Sequence, residues 1–156
     1  MTPGINVVKR AGISHRVHEY LHDSASESYG FEAAEKLGVS AEQVFKTLVV
    51  HLDKKQLVVA IVPVASLLSL KQIAKAASGK KAELADRALV ERTTGYVLGG
   101  VSPLGQKKPL LTFIDMSAKR YDMIYVSAGR RGLEIELNPD DLIQLTTGQY
   151  AELRQS

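Results

Sequence analysis

Lys46 and a glycine-rich segment are the residues whose types best suit the binding of a polar or anionic ligand. Lys46 begins an apolar, β-branched run, where a buried cation without a partner is costly. Its ammonium therefore either reaches water at the edge of a sheet or lies in a pocket and holds a carboxylate, carbonyl or phosphate. Segment 94–108, TGYVLGGVSPLGQKK, combines closely spaced glycines with a pair of lysines. Glycines in such numbers indicate a sharp turn or a close approach to the main chain.

A phosphate-binding P-loop is the first interpretation of this segment, and its residues argue against it. Gly100 and Gly105 have the P-loop spacing, and a lysine follows. However, Gln106 precedes Lys107, and no Ser or Thr follows to hold magnesium. A P-loop must also run into the start of a helix, whereas segment 110–114 has the pattern of a strand. The segment is therefore either a structural turn or a binding loop for another ligand.

The histidines do not predict a metal site. On a strand over 13–22, His18 and His22 share a face and His15 lies on the other, whereas tetrahedral zinc needs three or four converging ligands. We expect solvated imidazoles on an edge strand, no metal and no cofactor. His51, alone in an apolar run, is expected to be a core histidine. The sequence has no cysteine and shows no acid pair, Ser-His-Asp order or nucleophile elbow.

Three basic pairs could contact an anionic partner. Each pair by itself is typical of a solvated surface. Two of them flank glycine-bearing loops, where phosphate contacts are commonly made. The residues of these two pairs are Lys107, Lys108, Arg130 and Arg131.

Composition predicts one globular domain over residues 1–156. The net charge of +3 permits a nucleic-acid partner without requiring one. With 6% aromatic residues, a broad base-stacking platform is not expected. The lack of cysteine, of a signal-like apolar run and of a membrane-spanning stretch indicates a cytoplasmic protein with no membrane partner.

The elements that must position these residues alternate between helices and strands. Capping and proline signals predict helices that begin at Thr2, Ser69, Asp86 and Asn138, and shorter ones over 32–37 and from the capping box 40–43. A polar loop is predicted over 23–30. Apolar and β-branched runs predict strands over 44–52, 56–64, 96–98, 110–115 and 123–127. The class is α+β, with a mixed, curved and partly barrel-like sheet surrounded by helices.

One further strand carries acidic residues. Leu133, Ile135 and Leu137 alternate with Glu134 and Glu136. This pattern predicts one buried face and one acidic face.

Three motifs together resemble a known family. They are the Thr-Thr-Gly-Tyr run at 93–96, the GGVSPLGQKK run at 99–108 and the IYVSAGRRGL run at 124–133. The chain resembles the YbaK-type aminoacyl-tRNA deacylases, which are similar to the editing domain inserted in bacterial prolyl-tRNA synthetases. The resemblance extends over nearly the whole chain and implies the fold of that editing domain.

The resemblance also implies the site. The family's Gly-x-x-x-Pro loop corresponds to Gly99–Pro103 here, and its pocket lysine to Lys46. The catalytic residues it implies are Lys46, Gly99, Gly100 and Tyr20. The substrate-binding residues are Thr47, Pro103, Ser127 and Glu134. The basic residues expected against tRNA are Lys107, Lys108, Arg130 and Arg131.

The implied activity is the deacylation of mischarged Cys-tRNA(Pro) without metal or cofactor. In such enzymes the substrate's own thiol attacks its ester, while the protein orients and polarises the reacting groups. The implied partners are the acceptor end of the tRNA and prolyl-tRNA synthetase. Two alternatives remain: an editing deacylase for another mischarged tRNA, such as Ala-tRNA(Pro), or a module that binds a tRNA end or a synthetase without turnover.

Overall fold

Helices and strands alternate along the chain, in a computed structural model that describes residues 1–23 and 29–156. The helices are α1 (Pro3–Ala11), α2 (Tyr29–Leu37), α3 (Leu70–Ala76), α4 (Arg87–Thr94) and α5 (Pro139–Thr146), with a 3₁₀ helix over Met116–Arg120. The strands are β1 (His15–Glu19), β2 (Phe45–Leu52), β3 (Gln56–Pro63), β4 (Ala82–Leu84), β5 (Leu111–Asp115), β6 (Ile124–Arg130), β7 (Leu133–Leu137) and β8 (Gln149–Ala151). The α+β class is confirmed. Most of the predicted loop 23–30 lies outside the described residues.

The strands form two sheets. One has the order β1-β7-β6 and is antiparallel throughout. The other has the order β4-β2-β3-β5-β8, in which β4, β2 and β3 are antiparallel while β3, β5 and β8 run parallel. A bridge between Val44 and Tyr125 joins the start of β2 to β6. The predicted mixed sheet is therefore the larger of two sheets, and the smaller one meets it at the first residues of β2.

Strand β3 supplies side chains to two separate cores. Val59 and Ile61 face a cluster shared with β6 and β7. Val58, Ala60 and Val62 face a second cluster, which packs under α3. A strand buried on both faces reads as a continuous apolar run, which explains why segment 56–64 was recognisable from sequence.

Helix starts follow the predicted caps. The side chains of Thr2, Ser69 and Asp86 each accept a hydrogen bond from a backbone N–H in the first turn of the helix that follows. These bonds satisfy amides that the helix itself leaves unpaired. None of the helices in the described ranges is long and apolar enough to cross a membrane.

Two short elements differ from their predictions. Segment 40–43 forms a single turn, in which the Gln43 N–H bonds to the Ser40 carbonyl at 3.0 Å, and the chain then enters β2. Segment 96–98 was predicted to be a strand and is a turn instead. The side chain of Tyr96 is buried there, and its hydroxyl donates to the Leu104 carbonyl at 2.6 Å. Both errors have one cause, since tertiary contacts override weak local patterns over so few residues.

The end of the glycine-rich segment packs against the first helix. A Cβ placed on Gly105 would lie 2.6 Å from the carbonyl carbon of Pro3, and the φ of Gly105 is +69°. Glycine is required here both for the left-handed conformation and for the close approach. Gly105 is therefore structural, which agrees with the rejection of a P-loop.

Replacing Gly105 tests this packing. Gly105→Ala is expected to destabilise the protein more than Gly38→Ala, because Gly38 has the same φ of +69° with no atom within 4 Å of its Cβ position. Both substitutions carry the left-handed penalty of about 1–2 kcal/mol. The clash adds roughly 1–3 kcal/mol at Gly105 alone. Urea unfolding of both variants measures the difference, and equal losses would contradict the packing argument.

Candidate functional site

A cavity of about 460 Å³ lies beside the first residues of β2, where the two sheets meet. Its wall includes the residue that follows β1, Gly30 of α2, the first part of β2, the end of β4, one residue of α4, the glycine-rich segment, part of β6 with the turn that follows it, and one residue of β7. Residues distant in sequence thus come together in it. The residues of the wall that the sequence or the resemblance had singled out are Tyr20, Lys46, Thr47, Gly99, Ser127, Arg130, Arg131 and Glu134.

Lys46 lines this cavity with an unneutralised ammonium. It lies on the same face of β2 as Val50 and Leu52, which are buried in the core under α3. Burial lowers the pKa of Lys46. Of the ion pairs and side-chain hydrogen bonds within the described ranges, none involves its ammonium. A partly desolvated cation without a partner is suited to an anionic or carbonyl ligand.

Thr47, the next residue, is also short of a partner. Its Oγ1 is buried, and no hydrogen bond to it occurs among the described residues. Buried hydroxyls are nearly always satisfied in folded proteins. An unsatisfied hydroxyl in a residue of the cavity wall indicates a place where a ligand or water supplies the missing bond.

Glu134 is buried, contrary to the prediction of an exposed acidic face on β7. It is 6% exposed. That face of the sheet is covered by a cluster around α2 that includes Ala33, Ala34 and Tyr125, with Tyr20 packed against it. Burial raises the pKa of the Glu134 carboxyl to about 8. At neutral pH this group is therefore largely protonated, and it can donate a hydrogen bond into the cavity.

Tyr20 and Ser127 add two hydroxyls to the wall. Burial, together with the nearby Glu134, raises the pKa of Tyr20 to about 12, so its phenol is a donor at neutral pH. The Oγ of Ser127 accepts from the N–H of Gly129 at 3.1 Å, which leaves its own proton available. The polar side chains of the cavity wall are thus mostly hydrogen-bond donors at neutral pH.

Gly99 and Gly100 have different surroundings in the structure. Gly99 lines the cavity with a φ of +93°. Gly100 is not in the wall, and its N–H donates to the Val97 carbonyl at 2.8 Å. A Cβ on Gly100 would lie 2.9 Å from the Cα of Arg130. The amide of Gly100 is therefore occupied by a backbone bond, and Gly100 is a glycine because it packs on the backbone of β6.

The remaining predicted residues also lie outside the wall. Pro103 is buried, next to Ser102 and Leu104 in the loop that packs on α1. Lys107 and Lys108 are exposed, and their N–H groups bond to carbonyls at the end of α4 at 2.9 and 3.2 Å. Their side chains extend from the surface and do not form part of the cavity.

The apolar side of the cavity was not predicted. It includes Leu48, Leu84, Val90 and Leu98. Two of these are unusually exposed for leucine, Leu84 at 64% and Leu98 at 43%. Leu98 adjoins Gly99, so the sequence could have indicated that it lies in the site. Leu84 reaches the site because β4 pairs with β2, and nothing local to residues 82–84 indicates that pairing.

The histidines are paired rather than solvated. His18 Nε2 lies 2.8 Å from Glu136, and His22 Nδ1 lies 2.7 Å from Glu32. His15 bonds to the carbonyl of Ile13 at 2.9 Å. Within the described part of the chain, no group of three or more histidine and acidic residues is placed to hold a metal ion.

Comparison with known proteins gives three findings about sequence. A family model described as the aminoacyl-tRNA editing domain matches residues 27–145. The chain is 39% identical over 152 residues to an Enterococcus faecalis protein named "Putative Cys-tRNA(Pro)/Cys-tRNA(Cys) deacylase EbsC", covering 97% of this chain and 92% of that protein. It is 28% identical over 115 residues to "Uncharacterized protein YwhH" of Bacillus subtilis, covering 74% of this chain and 73% of that protein.

Two solved structures share the fold. One is the crystal structure of "a putative trans-editing enzyme for prolyl tRNA synthetase", with a TM-score of 0.86 and 25% identity over 99% of this chain and 96% of that chain. The other, of "hypothetical protein APE2540", has a TM-score of 0.87 and 24% identity over 98% of this chain and 99% of that chain. At that identity the second structure supports the fold alone.

The fold, the cavity and these matches define the class of editing deacylases, which act on aminoacyl-tRNA. The chain belongs to the aminoacyl-tRNA editing domain family. The resemblance drawn from the motifs at 93–108 and 124–133 is thereby confirmed.

The protonation of Glu134 predicts how stability depends on pH. The folded protein holds this proton up to about pH 8, whereas an unperturbed carboxyl releases it near 4.5. The contribution of this group to stability is therefore complete below pH 4.5 and is lost as the pH rises through 8. In that window the free energy of unfolding falls by up to about 1.4 kcal/mol per pH unit. Glu134→Gln removes this slope.

Urea unfolding across the window, from about pH 5 to 8, measures the effect. Glu42→Gln is the control, because Glu42 is exposed in the turn before β2 and its substitution leaves the wild-type slope in place. A Glu134→Gln protein with the same slope as the wild type would contradict a protonated, buried carboxyl.

Proposed function

We propose that this protein is a trans-editing hydrolase that deacylates mischarged Cys-tRNA(Pro) by a thiol-assisted mechanism without metal. The observation that carries the proposal is that Lys46, an unpaired cation within the described structure, shares one cavity with the backbone of Gly99. The name of the Enterococcus relative supports the choice of substrate. We further propose that residues 1–156 act as one domain and that the protein works in the cytoplasm, where charged tRNA occurs.

Lys46 is proposed to hold the ester carbonyl or the terminal adenosine of the substrate. Its ammonium is already partly desolvated, so the interaction is stronger than it would be in water. The Thr47 hydroxyl gains in the same complex the hydrogen bond that it lacks in the free protein.

Gly99 is proposed to supply the amide for the developing oxyanion. Among the described residues, its N–H makes no backbone hydrogen bond, in contrast to that of Gly100. An amide already in place needs no reorganisation as charge develops on the carbonyl oxygen. Gly100 and Pro103 keep indirect roles, because their packing on β6 and α1 sets the position of Gly99.

The nucleophile is proposed to come from the substrate. Among the described residues of the wall, no hydrogen bond joins the hydroxyl of Thr47 or Ser127 to a side chain that could act as its base. The cysteinyl sulfur, after losing its proton, attacks its own carbonyl carbon and forms a C–S bond. The bond from that carbon to the ribose oxygen breaks, and the oxygen takes up a proton. The product is a four-membered thiolactone, which water then opens to cysteine.

The donors opposite Lys46 are proposed to orient the aminoacyl group. Glu134, Tyr20 and Ser127 all present protons at neutral pH, so they suit acceptor atoms of the substrate. Holding the thiol near the carbonyl turns the attack into an effectively unimolecular step.

The tRNA itself is proposed to bind by its backbone. Arg130 and Arg131 lie in the wall of the cavity, and Lys107 and Lys108 are exposed beyond it. Phosphate contacts of this kind carry little sequence information. Selectivity for tRNA(Pro) is therefore assigned to a prolyl-tRNA synthetase partner.

Substitution of Lys46 tests the site. Lys46→Ala is expected to lower kcat/KM for Cys-tRNA(Pro) by at least about 100-fold, the loss typical for one electrostatic contact to a transition state. Lys55→Ala is the matched control, because it removes an equal charge from an exposed turn and leaves the rate unchanged. Equal rates for Lys46→Ala and the wild type would contradict the proposed site.

A panel of charged tRNA(Pro) species tests the chemistry. Cysteinyl-tRNA is expected to be hydrolysed in the presence of a chelator, with a cyclic thioester trapped in single turnover. Alanyl-tRNA and seryl-tRNA, which lack the thiol, are expected to remain charged. Rapid hydrolysis of alanyl-tRNA would instead support the Ala-tRNA(Pro) alternative, and binding without loss of any ester would support a module without turnover. Adding prolyl-tRNA synthetase to the assay measures its effect on tRNA selectivity.

A further inference from the structure

The edge of β2 that turns away from β3 is open where it borders the cavity. On this edge, β4 pairs with β2 over residues 50–52, and one further bond runs from the Ala85 N–H to the Val49 carbonyl at 3.0 Å. At the other end, β6 meets the chain in a single bridge at Val44. Among the described residues, no strand pairs with this edge over residues 45–48.

The register of β2 shows which main-chain groups point to the open edge. In an antiparallel pair, successive residues alternate between bonding to the partner strand and pointing away from it. The Val64 N–H bonds to the Val44 carbonyl at 2.8 Å, so the even-numbered residues of β2 bond to β3. The bond from Ala85 to Val49 places an odd-numbered residue on the other edge. The N–H and carbonyl of Thr47, together with the N–H of Val49, therefore point to the open edge.

Thr47 and Val49 thus present an acceptor and a donor beside the cavity. The ladder with β4 ends at the pair of Val50 and Leu84, and within the described part of the chain the Val49 N–H makes no bond to β4 or to Ala85. The buried hydroxyl of Thr47 also lacks a partner there. Val49 is itself buried, and buried main-chain groups are nearly always satisfied. The open edge therefore indicates a place where a ligand supplies the missing bonds.

Apolar side chains flank this edge on both faces of the sheet. Leu48 shares a face with Val50, and Leu84 lies directly opposite Val50 on β4, so the two leucines are on the same face. On the other face, Val49 and Val90 belong to one core cluster, and both line the cavity. Leu84 is 64% exposed, which leaves apolar surface for a ligand to cover. A flat ring in the plane of the sheet would contact apolar groups on both of its sides.

Adenine has the hydrogen-bonding pattern that this edge requires. Its Watson–Crick edge carries the N6 amino donor beside the N1 acceptor, which match a carbonyl and the N–H two residues later on the same strand edge. N6 would donate to the carbonyl of Thr47, and the N–H of Val49 would donate to N1. Guanine and uracil carry an acceptor and a donor in the reverse order, so they would oppose both groups. Cytosine shares the pattern of adenine, but its smaller ring covers less of the apolar surface.

We propose that the open edge of β2 is the site for the adenine ring of the tRNA's 3′-terminal adenosine, bound by the main chain of Thr47 and Val49 with leucine and valine side chains against its two faces. This inference rests on the proposed function. It assigns the base to the backbone of β2, which leaves the ammonium of Lys46 and the amide of Gly99 for the ester.

An extended peptide is the other kind of ligand that an open strand edge binds. The unpaired run, residues 45–48, is shorter than the usual strand of about 5–6 residues, and it lies in the wall of a cavity. Both features favour a single planar ring over a peptide strand.

Minihelices of the tRNA(Pro) acceptor stem that differ only in their 3′-terminal nucleoside test the base contacts without requiring turnover. Inosine, which carries O6 and N1–H, is expected to weaken binding to the wild-type protein by about 10-fold to 100-fold relative to adenosine, the discrimination typical of two base-edge bonds. 7-Deazaadenosine, which changes only the opposite edge of the base, is expected to bind like adenosine. Equal affinity for the adenosine and inosine ends, or binding of neither, would overturn the adenine site and leave the open edge to a peptide.

Substitution of Leu84 tests the apolar face of the site. Leu84→Ala is expected to weaken binding of the adenosine-ended minihelix by about threefold to tenfold, because it removes apolar contact with the ring. The preference for adenosine over inosine is expected to persist, since the main chain is unchanged. Leu67→Ala is the matched control, because Leu67 is 65% exposed and is not among the described residues of the wall. Thermal melts show that both variants are folded, and equal affinities of the two variants would contradict the contact.

Cysteinyl-adenosine and cysteinyl-inosine separate this inference from the proposed function. Both carry the same thiol and the same ester, so a difference in kcat/KM reports on the base alone. The inosine compound is expected to have a kcat/KM about 10-fold to 100-fold lower. Equal rates for the two would overturn the adenine site and leave the deacylase intact. If neither these compounds nor cysteinyl-tRNA were hydrolysed, the proposed function would fall, while the result with uncharged minihelices would still stand.

Discussion

The pairing of β2 with β3 is the constraint on which the site depends. Residues 58–62 are buried on both faces between two cores, and their register places Lys46 opposite Val62 near the end of the ladder. One residue before β2, Val44 bridges to the other sheet. Lys46 therefore lies where apolar packing ends and the two sheets diverge. A one-residue slip would turn its side chain to the other face, and burial of so many apolar residues resists such a slip.

Close backbone contact is the second organising feature. Gly100 packs on Arg130, Gly105 on Pro3 and Gly132 on Tyr20 at distances that exclude a side chain. The first two contacts join the glycine-rich segment to β6 and to α1, and the third joins the turn between β6 and β7 to the residue that follows β1. Two glycines of the glycine-rich segment, Gly100 and Gly105, are thus required for packing between main chains. Gly99 remains as the glycine of this segment whose backbone borders the cavity.

Glu32 and Glu134 show that the surroundings of a buried carboxyl determine its charge state and therefore its chemical role. Glu32 receives three donors, and the pKa of its carboxyl is lowered to about 2. Burial raises the pKa of Glu134 to about 8, with no compensating donor. Glu32 is held as an anion by its bonds to His22, Lys36 and the N–H of Asp23, whereas Glu134 is a neutral donor in the cavity wall at neutral pH. Because the residue type is the same, the difference arises from the hydrogen bonds and the neighbouring charge of Lys36 that the fold supplies to Glu32.

From the sequence alone, the α+β class, the caps at Thr2, Ser69 and Asp86, the β2–β3 hairpin and the family motifs were recognisable, because each depends on residues close together in the chain. The cavity also contains eight of the residues that sequence and resemblance had indicated. Tertiary structure alone decided that Glu134 is buried, that the amide of Gly100 is occupied, and that Leu84 and α2 contribute to the site. Those outcomes depend on contacts between distant segments, such as the pairing of β4 with β2, and no local pattern encodes them.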